Sequence, residues 1–294
     1  MAQEKIIATN ITKTYGKTQV LNIENLELEK GKIYGLIGRN GAGKTTLLSV
    51  LSAQNPATSG TVTCNDMPVW ENQKALDHIC FSREINGMLA NGQANGYKVK
   101  DYLRSAAYFM PNWDKEMASK LIKTFNLDVK KKVMKLSKGM QSMVTIIIAL
   151  ASKADYTFLD EPVAGLDVVA REKFYRILLE EFTETGRTFV ISTHIIEEAS
   201  DVFEEVIFLD EGKVIMKENT MDLLDRAVHV SGKAEEVDAA TSGLNCLRTE
   251  KMGRSKGVTV LLEAGQSVQK NEDISVQPVN LQQLFVAMCG REEM

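Results

Sequence analysis

The chain has 294 residues, of which 44% are hydrophobic and 25% are charged, a composition typical of a folded globular protein. This composition argues against a disordered chain, a collagen and a coiled-coil rod. The formal charge is −4, from 35 basic and 39 acidic residues. Because binding to duplex nucleic acid requires a basic face, we expect no nucleic-acid partner. Backbone N–H groups can still bind polyphosphates without net positive charge.

The four cysteines, Cys64, Cys80, Cys246 and Cys289, are scattered and show no metal-binding spacing, so we expect reduced thiols in a cytosolic compartment. The first residues lack the basic and apolar regions of a signal peptide. The longest purely apolar stretch after the early segments, Ile146–Ala151, is far short of the roughly 20 residues that cross a bilayer. We therefore expect a chain that does not span a membrane but could attach to one that does.

The first part of the chain alternates β-branched with polar residues, which predicts short strands and a buried strand before a glycine-rich segment. The predicted elements are strands at Ile6–Asn10, Gln19–Leu28, Lys32–Ile37 and Thr61–Cys64, and a helix from Thr46 to about Asn55. Residues 85–97 contain three glycines and three asparagines, which predicts a loop. A helical region is predicted from about Val99 to Val133, followed by an apolar helix over Gln141–Ala151.

Strands and helices alternate in the next part of the chain. The predicted strands are Tyr156–Asp160, Thr188–Ser192 and Val206–Asp210, and the predicted helices are Val168–Thr185 and Ile195–Phe203. This alternation predicts an α/β fold with a largely parallel sheet covered on both faces.

The pattern of predicted elements changes after about residue 227. Short strand-like stretches at His229–Val230 and Val258–Glu263 precede a predicted helix at Leu281–Met288. We predict two parts: residues 1–227, with a helical subdomain at about 85–150, and a small α+β accessory subdomain over 228–294.

A phosphate-binding motif lies where the buried strand meets the first helix. The segment Gly38-Arg39-Asn40-Gly41-Ala42-Gly43-Lys44-Thr45 fits the pattern G-x-x-x-x-G-K-[ST]. Glycines let successive N–H groups point at phosphate oxygens, Lys44 supplies a positive charge, and the Thr45 hydroxyl can bind Mg²⁺. A simple glycine-rich turn is the alternative, but the strand before it and the helix after it favour phosphate binding.

Two carboxylates follow the apolar strand that ends at Asp160. Asp160 can reach a Mg²⁺ at the phosphate loop, and the adjacent Glu161 can polarise an attacking water. His194, after the next strand, can sense the γ-phosphate at the same edge of the sheet. Taken alone, the carboxylates could be an acidic strand end and His194 a capping histidine; the phosphate loop upstream favours catalysis.

Together these segments resemble the ATP-binding cassette (ABC) ATPase family from Ile6 to about Glu218. Besides the phosphate loop, the resemblance includes Leu136–Met140, Phe158–Pro162, Ala164–Asp167 and Ser192–His194. It implies a P-loop NTPase fold: a mostly parallel central sheet, an N-terminal antiparallel β subdomain and a helical subdomain.

The resemblance also implies a role for each matching residue. ATP would stack its adenine on Tyr15 and bind along the phosphate loop, at Gly38, Asn40, Gly41, Ala42, Gly43, Lys44, Thr45 and Thr46. Thr45 and Asp160 would hold Mg²⁺, Glu161 would be the general base, and His194 the switch histidine.

The remaining implied roles belong to a dimer that sandwiches two ATP molecules between head-to-tail cassettes. Ser137 and Gly139 would contact the γ-phosphate bound to the other subunit, and the loop with Asp167 would meet that subunit. Each site would therefore need a homodimer or a paired cassette subunit.

The sequence departs from the family pattern at three places. The signature segment reads LSKGM instead of LSGGQ, although Ser137 and Gly139 are retained. Arg83 stands nearest to the position of the family's Mg²⁺-contacting glutamine, and Gln93 is out of register. A guanidinium cannot bind Mg²⁺, so metal geometry or coupling must differ here. Thr157 is a polar residue inside the strand that ends at Asp160.

The resemblance implies an ATPase subunit that powers transport through separate membrane-spanning permease subunits at the cytoplasmic face of the membrane. The SKGM-type segment and the accessory subdomain resemble exporters of the bacitracin-export and lantibiotic-immunity type, which implies export of a peptide, antibiotic or lipid-like compound. Two alternatives stay open: a soluble ABC ATPase of translation or DNA repair, and a regulatory subunit that senses ATP without turnover. A single cassette and the lack of a coiled-coil tract count against the first, and Glu161 and His194 count against the second.

Overall fold

The computed structural model describes residues 4–85, 96–269 and 271–290. The strands are β1 (Lys5–Tyr15), β2 (Thr18–Glu29), β3 (Ile33–Ile37), β4 (Ser59–Cys64), β5 (Met67–Pro68), β6 (Ile79–Ser82), β7 (Tyr156–Asp160), β8 (Thr188–Thr193), β9 (Glu205–Asp210), β10 (Lys213–Asn219), β11 (Ala227–Lys233), β12 (Asn245–Met252), β13 (Ser255–Leu261) and β14 (Ile274–Pro278). The helices are α1 (Lys44–Leu51), α2 (Gln73–Leu76), α3 (Val99–Phe109), α4 (Lys115–Thr124), α5 (Lys138–Ala151), α6 (Val168–Thr185), α7 (Ile196–Ala199), α8 (Thr220–Asp225), α9 (Ala234–Ala240) and α10 (Leu281–Cys289).

The N-terminal antiparallel sheet has the strand order β2-β1-β4-β5. Buried and exposed residues alternate along most of β1, as expected for a strand with one face on a core. Its inner face packs with β3 and α1 in one hydrophobic cluster that includes Ile6, Leu28, Leu36 and Leu47. The sheet thereby fixes the β1–β2 hairpin beside the segment that follows β3.

The central sheet has the order β10-β9-β3-β8-β7-β6, and all its pairings are parallel except that of β10 with β9. Strands β3, β7 and β8 are buried along their whole length, which explains why each has apolar residues at its centre. The phosphate motif follows β3, the two carboxylates lie at the end of β7, and His194 follows β8. Because parallel strands end at one edge, these groups meet there.

The helical region between β6 and β7 is built from α3, α4 and α5. Asp114 caps α4 by accepting from the Met117 N–H at 2.9 Å, and Ser137 caps α5 by accepting from Met140. Its apolar side chains join the cluster under the central sheet. Of the loop predicted over residues 85–97, positions 86–95 lie outside the described residues.

The C-terminal sheet has the order β12-β13-β11-β14 and is antiparallel throughout. Strands β11 and β12, joined through α9, flank β13, which is a split β-α-β arrangement. A small apolar cluster that includes Val230, Val237 and Val258 lies under α9. Helix α10 instead joins the main core, where the Phe285 ring lies 5.4 Å from Phe208 of β9, centroid to centroid.

The mixed α/β class and the antiparallel N-terminal sheet confirm the predicted fold. Several boundaries differ from the prediction. The strand predicted to end at Asn10 continues to Tyr15, α1 begins at Lys44 rather than Thr46, and the predicted helix Ile195–Phe203 is the short α7 followed by a 3-10 turn, Ser200–Val202. The division after residue 227 stays a prediction. Strand β11 begins at this position, with Ala227, but α10 packs into the first core.

Candidate active site

The phosphate loop leaves the buried strand β3 and enters α1 through Gly43, whose φ of +105° is left-handed. A non-glycine residue would be strained in this conformation. Gly38 permits a close approach, since a Cβ there would lie 2.5 Å from the backbone oxygen of Leu209 on β9. The loop therefore needs glycine for its turn and for its packing against the sheet.

Lys44 is the first residue of α1 and is only 7% exposed. Its Nζ donates to the carbonyl oxygens of Gly38 at 2.6 Å and Arg39 at 3.3 Å, so the ammonium folds back over the loop. Burial lowers the pKa of Lys44, while Glu161 and Asp160 act in the opposite direction. The Lys44 ammonium thus lies at the phosphate loop, where phosphate oxygens could accept charge-assisted hydrogen bonds from it.

Asp160 is held by two hydroxyl groups at the end of β7. Its Oδ2 accepts from Thr45 Oγ1 at 2.7 Å, and its Oδ1 accepts from Ser192 Oγ at 2.6 Å. Asp160 pairs with Ser192 in the parallel β7–β8 register, which explains this contact. The sequence motifs assign no role to Ser192, although it ends the predicted strand Thr188–Ser192 and so lies at the same sheet edge as Asp160.

Glu161 lies directly beyond β7 with φ of +48°, a left-handed conformation that is uncommon for a glutamate. Its N–H donates to the backbone oxygen of Ser192 at 3.2 Å and to Ser192 Oγ at 3.1 Å. Its Oε2 lies 2.7 Å from His194 Nδ1, and the two side chains are 23% and 55% exposed. The strained backbone thus presents a carboxylate beside an imidazole at the mouth of the site.

Tyr15 lies at the tip of the β1–β2 hairpin and is 48% exposed. Asn40, Gly41 and Thr45 of the phosphate loop are likewise exposed, Ala42 is buried, and Thr46 is half-buried in α1. The open side of the loop, between the hairpin and the ends of β7 and β8, is where a nucleotide can enter.

The signature segment begins α5 and packs on the loop that follows Glu161. A Cβ on Gly139 would lie 2.4 Å from the carbonyl oxygen of Gly165, and Ser142 Oγ donates to the Ala164 oxygen at 2.7 Å. Asp167 caps α6 by accepting from the Ala170 N–H at 2.8 Å. Within the described ranges, no hydrogen bond or ion pair joins Ser137 or Gly139 to the phosphate loop.

Arg83 lies in the segment after β6 and borders a groove of about 320 Å³ between the central sheet and the helical region. Half of the residues that line the groove are aromatic or apolar: Phe81, Ile85, Tyr102, Ala106, Phe109 and Ile148. The guanidinium carbon lies 6.0 Å from the Phe81 ring centroid. Gln93, the out-of-register glutamine, lies outside the described residues.

Comparisons with known proteins show the family of this chain. The sequence model of the family described as "ABC transporter" matches residues 21–164. The bacitracin transport ATP-binding protein BcrA of Enterococcus faecalis is 32% identical over 234 residues, which is 77% of this chain and 73% of that protein. The chain belongs to the ABC transporter family. It is an ATP-binding, ATP-hydrolysing subunit of an ABC transporter.

Two further comparisons extend this result. The ABC transporter ATP-binding protein YtrB of Bacillus subtilis is 24% identical over 288 residues, which cover 95% of this chain and 96% of that protein. The dimeric structure of MJ0796, a bacterial ABC transporter cassette, matches with a TM-score of 0.61 and 25% identity, over 73% of this chain and 98% of that one. No helix in the described ranges is both long and apolar enough to cross a membrane.

Proposed function

We propose that this ABC subunit drives export of a peptide, antibiotic or lipid-like compound through separate membrane-spanning subunits, using Mg²⁺-dependent ATP hydrolysis. The observation that carries the hydrolytic part is the meeting of Lys44, Asp160 and the Glu161–His194 pair at one edge of the sheet. The relatedness to a bacitracin transport protein and to a Nod factor export protein supports the export part.

ATP binds with its adenine on the exposed Tyr15 ring and its phosphates in the loop 38–46. Backbone N–H groups at the start of α1 and the Lys44 ammonium neutralise the β- and γ-phosphates. In this arrangement Lys44 exchanges its two carbonyl contacts for phosphate oxygens. Positioning and charge neutralisation account for most of the rate in phosphoryl transfer.

The residues present fit a Mg²⁺ ion. Thr45 Oγ1 and Asp160 Oδ2 are already 2.7 Å apart, and hydroxyl and carboxylate oxygens are the donors that Mg²⁺ prefers alongside substrate phosphates. When bound there, the ion would neutralise charge on the β- and γ-phosphate oxygens. Ser192 keeps the Asp160 carboxylate aimed at that position.

Glu161 acts as the general base. It takes a proton from a water whose oxygen forms a bond to the γ-phosphorus, while the bond from that phosphorus to the β–γ bridging oxygen breaks. The products are ADP and phosphate. His194, through Nδ1, fixes the orientation of the Glu161 carboxylate and links it to the end of β8.

Each site is completed by a second cassette, either another copy of this chain or a paired subunit. Ser137 and Gly139 contact the γ-phosphate bound to the opposite subunit, and the loop ending at Asp167 lies at the same interface. Support comes from the dimeric MJ0796 cassette and from the lack of contact between Ser137 or Gly139 and the phosphate loop within the described residues. ATP closes the pair, and hydrolysis reopens it.

The membrane-spanning partner docks at the groove beside Arg83 and at the helical region, which places the chain at the cytoplasmic face of the membrane. The aromatic lining of the groove and the exposed Tyr108 and Phe109 next to it suit a protein partner. Arg83, in place of a glutamine, makes this contact without binding Mg²⁺ itself.

The test is Glu161→Gln, which keeps the shape of the side chain but removes the base. We expect ATP turnover to fall at least about 100-fold, while ATP binding persists and an ATP-bound dimer accumulates, as measured by phosphate release and size-exclusion chromatography. Glu184→Gln, at an exposed position of α6, is the matched control and should keep full turnover. Unchanged turnover in Glu161→Gln would refute the assigned base.

Two companion measurements test the other parts. Lys44→Ala should weaken nucleotide binding itself, because a buried phosphate-facing charge is lost. Co-purification of the tagged chain with a hydrophobic membrane polypeptide supports the transporter assignment. A chain that hydrolyses ATP and yet never co-purifies with one would favour a soluble ABC ATPase.

A further inference from the structure

The ring of Tyr15 is in contact with a charged side chain that the sequence motifs do not include. Lys13 Nζ lies 5.0 Å from the Tyr15 ring centroid, within the range of a cation–π interaction. Lys13 and Tyr15 are two residues apart on β1, so both side chains project from the same face of the strand. One face of the ring is therefore next to a cation.

Lys13 is held in place rather than free in solvent. The residue is only 9% exposed, and its Nζ donates to the Pro56 carbonyl oxygen at 2.6 Å. Lysine is among the residue types that are almost never buried without a partner, so this position is unusual. An ammonium has three donors, and the bond to Pro56 leaves others free to face the ring.

The contact with Pro56 ties the hairpin to the segment that follows α1, the helix that begins at Lys44. The same segment makes two further bonds to β1: Thr14 N–H donates to Thr58 Oγ1 at 2.9 Å, and Thr58 N–H donates to the Thr12 oxygen at 2.8 Å. The tip of the hairpin is thus fixed relative to the phosphate-loop helix by bonds on both sides of Lys13.

A bulge in β2 sets the direction of the hairpin tip. Lys13 pairs with Leu21 and Thr14 pairs with Gln19, which leaves Val20 without a partner in this register. The Val20 carbonyl oxygen packs on the phosphate loop, where a Cβ on Gly43 would lie 3.0 Å from it. The bulge and the Lys13 contact therefore both fix the part of the hairpin that lies between the phosphate loop and Tyr15.

We propose that Lys13 is a positioning residue for the nucleotide base: its ammonium, fixed by Pro56, holds the Tyr15 ring from one side so that the other face receives adenine. The inference rests on the proposed stacking role of Tyr15. The proposal predicts a selective effect on binding. A residue that acts through the aromatic ring should affect only the part of the nucleotide affinity that comes from the base. The triphosphate is bound elsewhere, by the loop and Lys44.

Lys13→Met is the decisive variant, since it keeps an unbranched apolar stem and removes the charge. Binding is measured by calorimetry with two probes, MgATP and inorganic tripolyphosphate, which lacks the base. We expect the Kd for MgATP to rise about three- to tenfold and the Kd for tripolyphosphate to stay within about twofold. In ATPase assays, KM should rise while kcat at saturating ATP is retained.

Three variants complete the design. Lys13→Arg, which keeps a cation over the ring, should recover most of the MgATP affinity. Lys17→Met, at the exposed turn of the same hairpin, is the matched control and should bind both probes normally. Tyr15→Ala should weaken MgATP binding about tenfold or more without affecting tripolyphosphate, because stacking on a base is lost.

The outcomes separate the two claims. If Tyr15→Ala binds MgATP as tightly as the unmodified chain, the stacking role fails and the inference fails with it. If Tyr15→Ala weakens MgATP binding but Lys13→Met does not, stacking stands and the role of Lys13 is wrong. Equal loss of both probes in Lys13→Met also overturns the inference, since it shows a structural defect instead of ring positioning.

Discussion

At the scale of single residues, one hydroxyl group contacts both acidic residues of the site. Ser192 is fully buried; its Oγ donates to Asp160 at 2.6 Å and lies 3.1 Å from the Glu161 N–H. Hydrogen bonds to charged groups contribute about 1.5–3 kcal/mol, so losing this hydroxyl disturbs two proposed catalytic positions at once. Neither contact involves the phosphate loop.

We therefore predict that Ser192→Ala lowers kcat about tenfold or more while changing the ATP Kd less than about threefold. Thr157→Val is the matched control: its hydroxyl is buried without a hydrogen-bond partner among the described residues, so turnover should be kept. Steady-state ATPase assays and calorimetry measure both quantities. A Ser192→Ala enzyme with normal kcat would contradict the positioning role.

Residues in recognisable motifs could be predicted from sequence, but the contacts that bind them together could not. Thr45 and Asp160 are 115 positions apart, and their 2.7 Å contact follows from motif order combined with the parallel sheet. The contact of Lys13 with Pro56 depends on the hairpin, a bulge and the segment after α1 lying side by side. A local sequence pattern does not show which distant segments will lie in contact.

At the scale of elements, prediction was best where both ends of an element carry strong local signals. The predicted bounds of α6 agree with the structure because Asp167 caps its start and Gly186, with φ of +62°, ends it. The edge strand β12 was missed because its sequence, NCLRTEKM, is polar and charged. Such residues suit an exposed edge, where pairing with another chain must be avoided, and they hide the apolar alternation.

The packing of α5 on the loop after β7 leads to the next prediction. Because a Cβ on Gly139 would lie 2.4 Å from the Gly165 oxygen, Gly139→Ala must push the start of α5 away from that loop. We expect ATPase turnover to fall about tenfold or more, with ATP binding to the isolated chain unchanged, since the phosphate loop is not disturbed.

The control for this change is Gly96→Ala, because a Cβ at Gly96 meets no atom of the described residues within 4 Å. It should leave both binding and turnover as they are. Nucleotide binding by fluorescence titration and turnover by phosphate release separate the two effects. Turnover of Gly139→Ala within twofold of the unmodified chain would show that the glycine contact is dispensable.

At the scale of the whole molecule, the C-terminal sheet has its own small core, but α10 belongs to the larger one. Helix α10 contacts both α7, which follows His194, and β12. Leu281 and Leu284 are almost fully buried in the main core, and an Asn280 capping box starts the helix. Packing of α10 thus anchors the C-terminal sheet to the main core, close to the end of β8 that His194 follows.

This anchoring predicts how the molecule unfolds. Phe285 is 9% exposed and packs on the fully buried Phe208, so Phe285→Ala should lower the free energy of unfolding by about 3 kcal/mol, as measured by urea denaturation. Val286→Ala, at the adjacent position that is 39% exposed, should cost less than about 1 kcal/mol. Because the cavity opens between α10 and β9, the loss should appear in the transition of the cassette itself. If instead only a small C-terminal transition shifts, α10 stabilises the accessory sheet alone, and residues 228–294 form an independent folding unit.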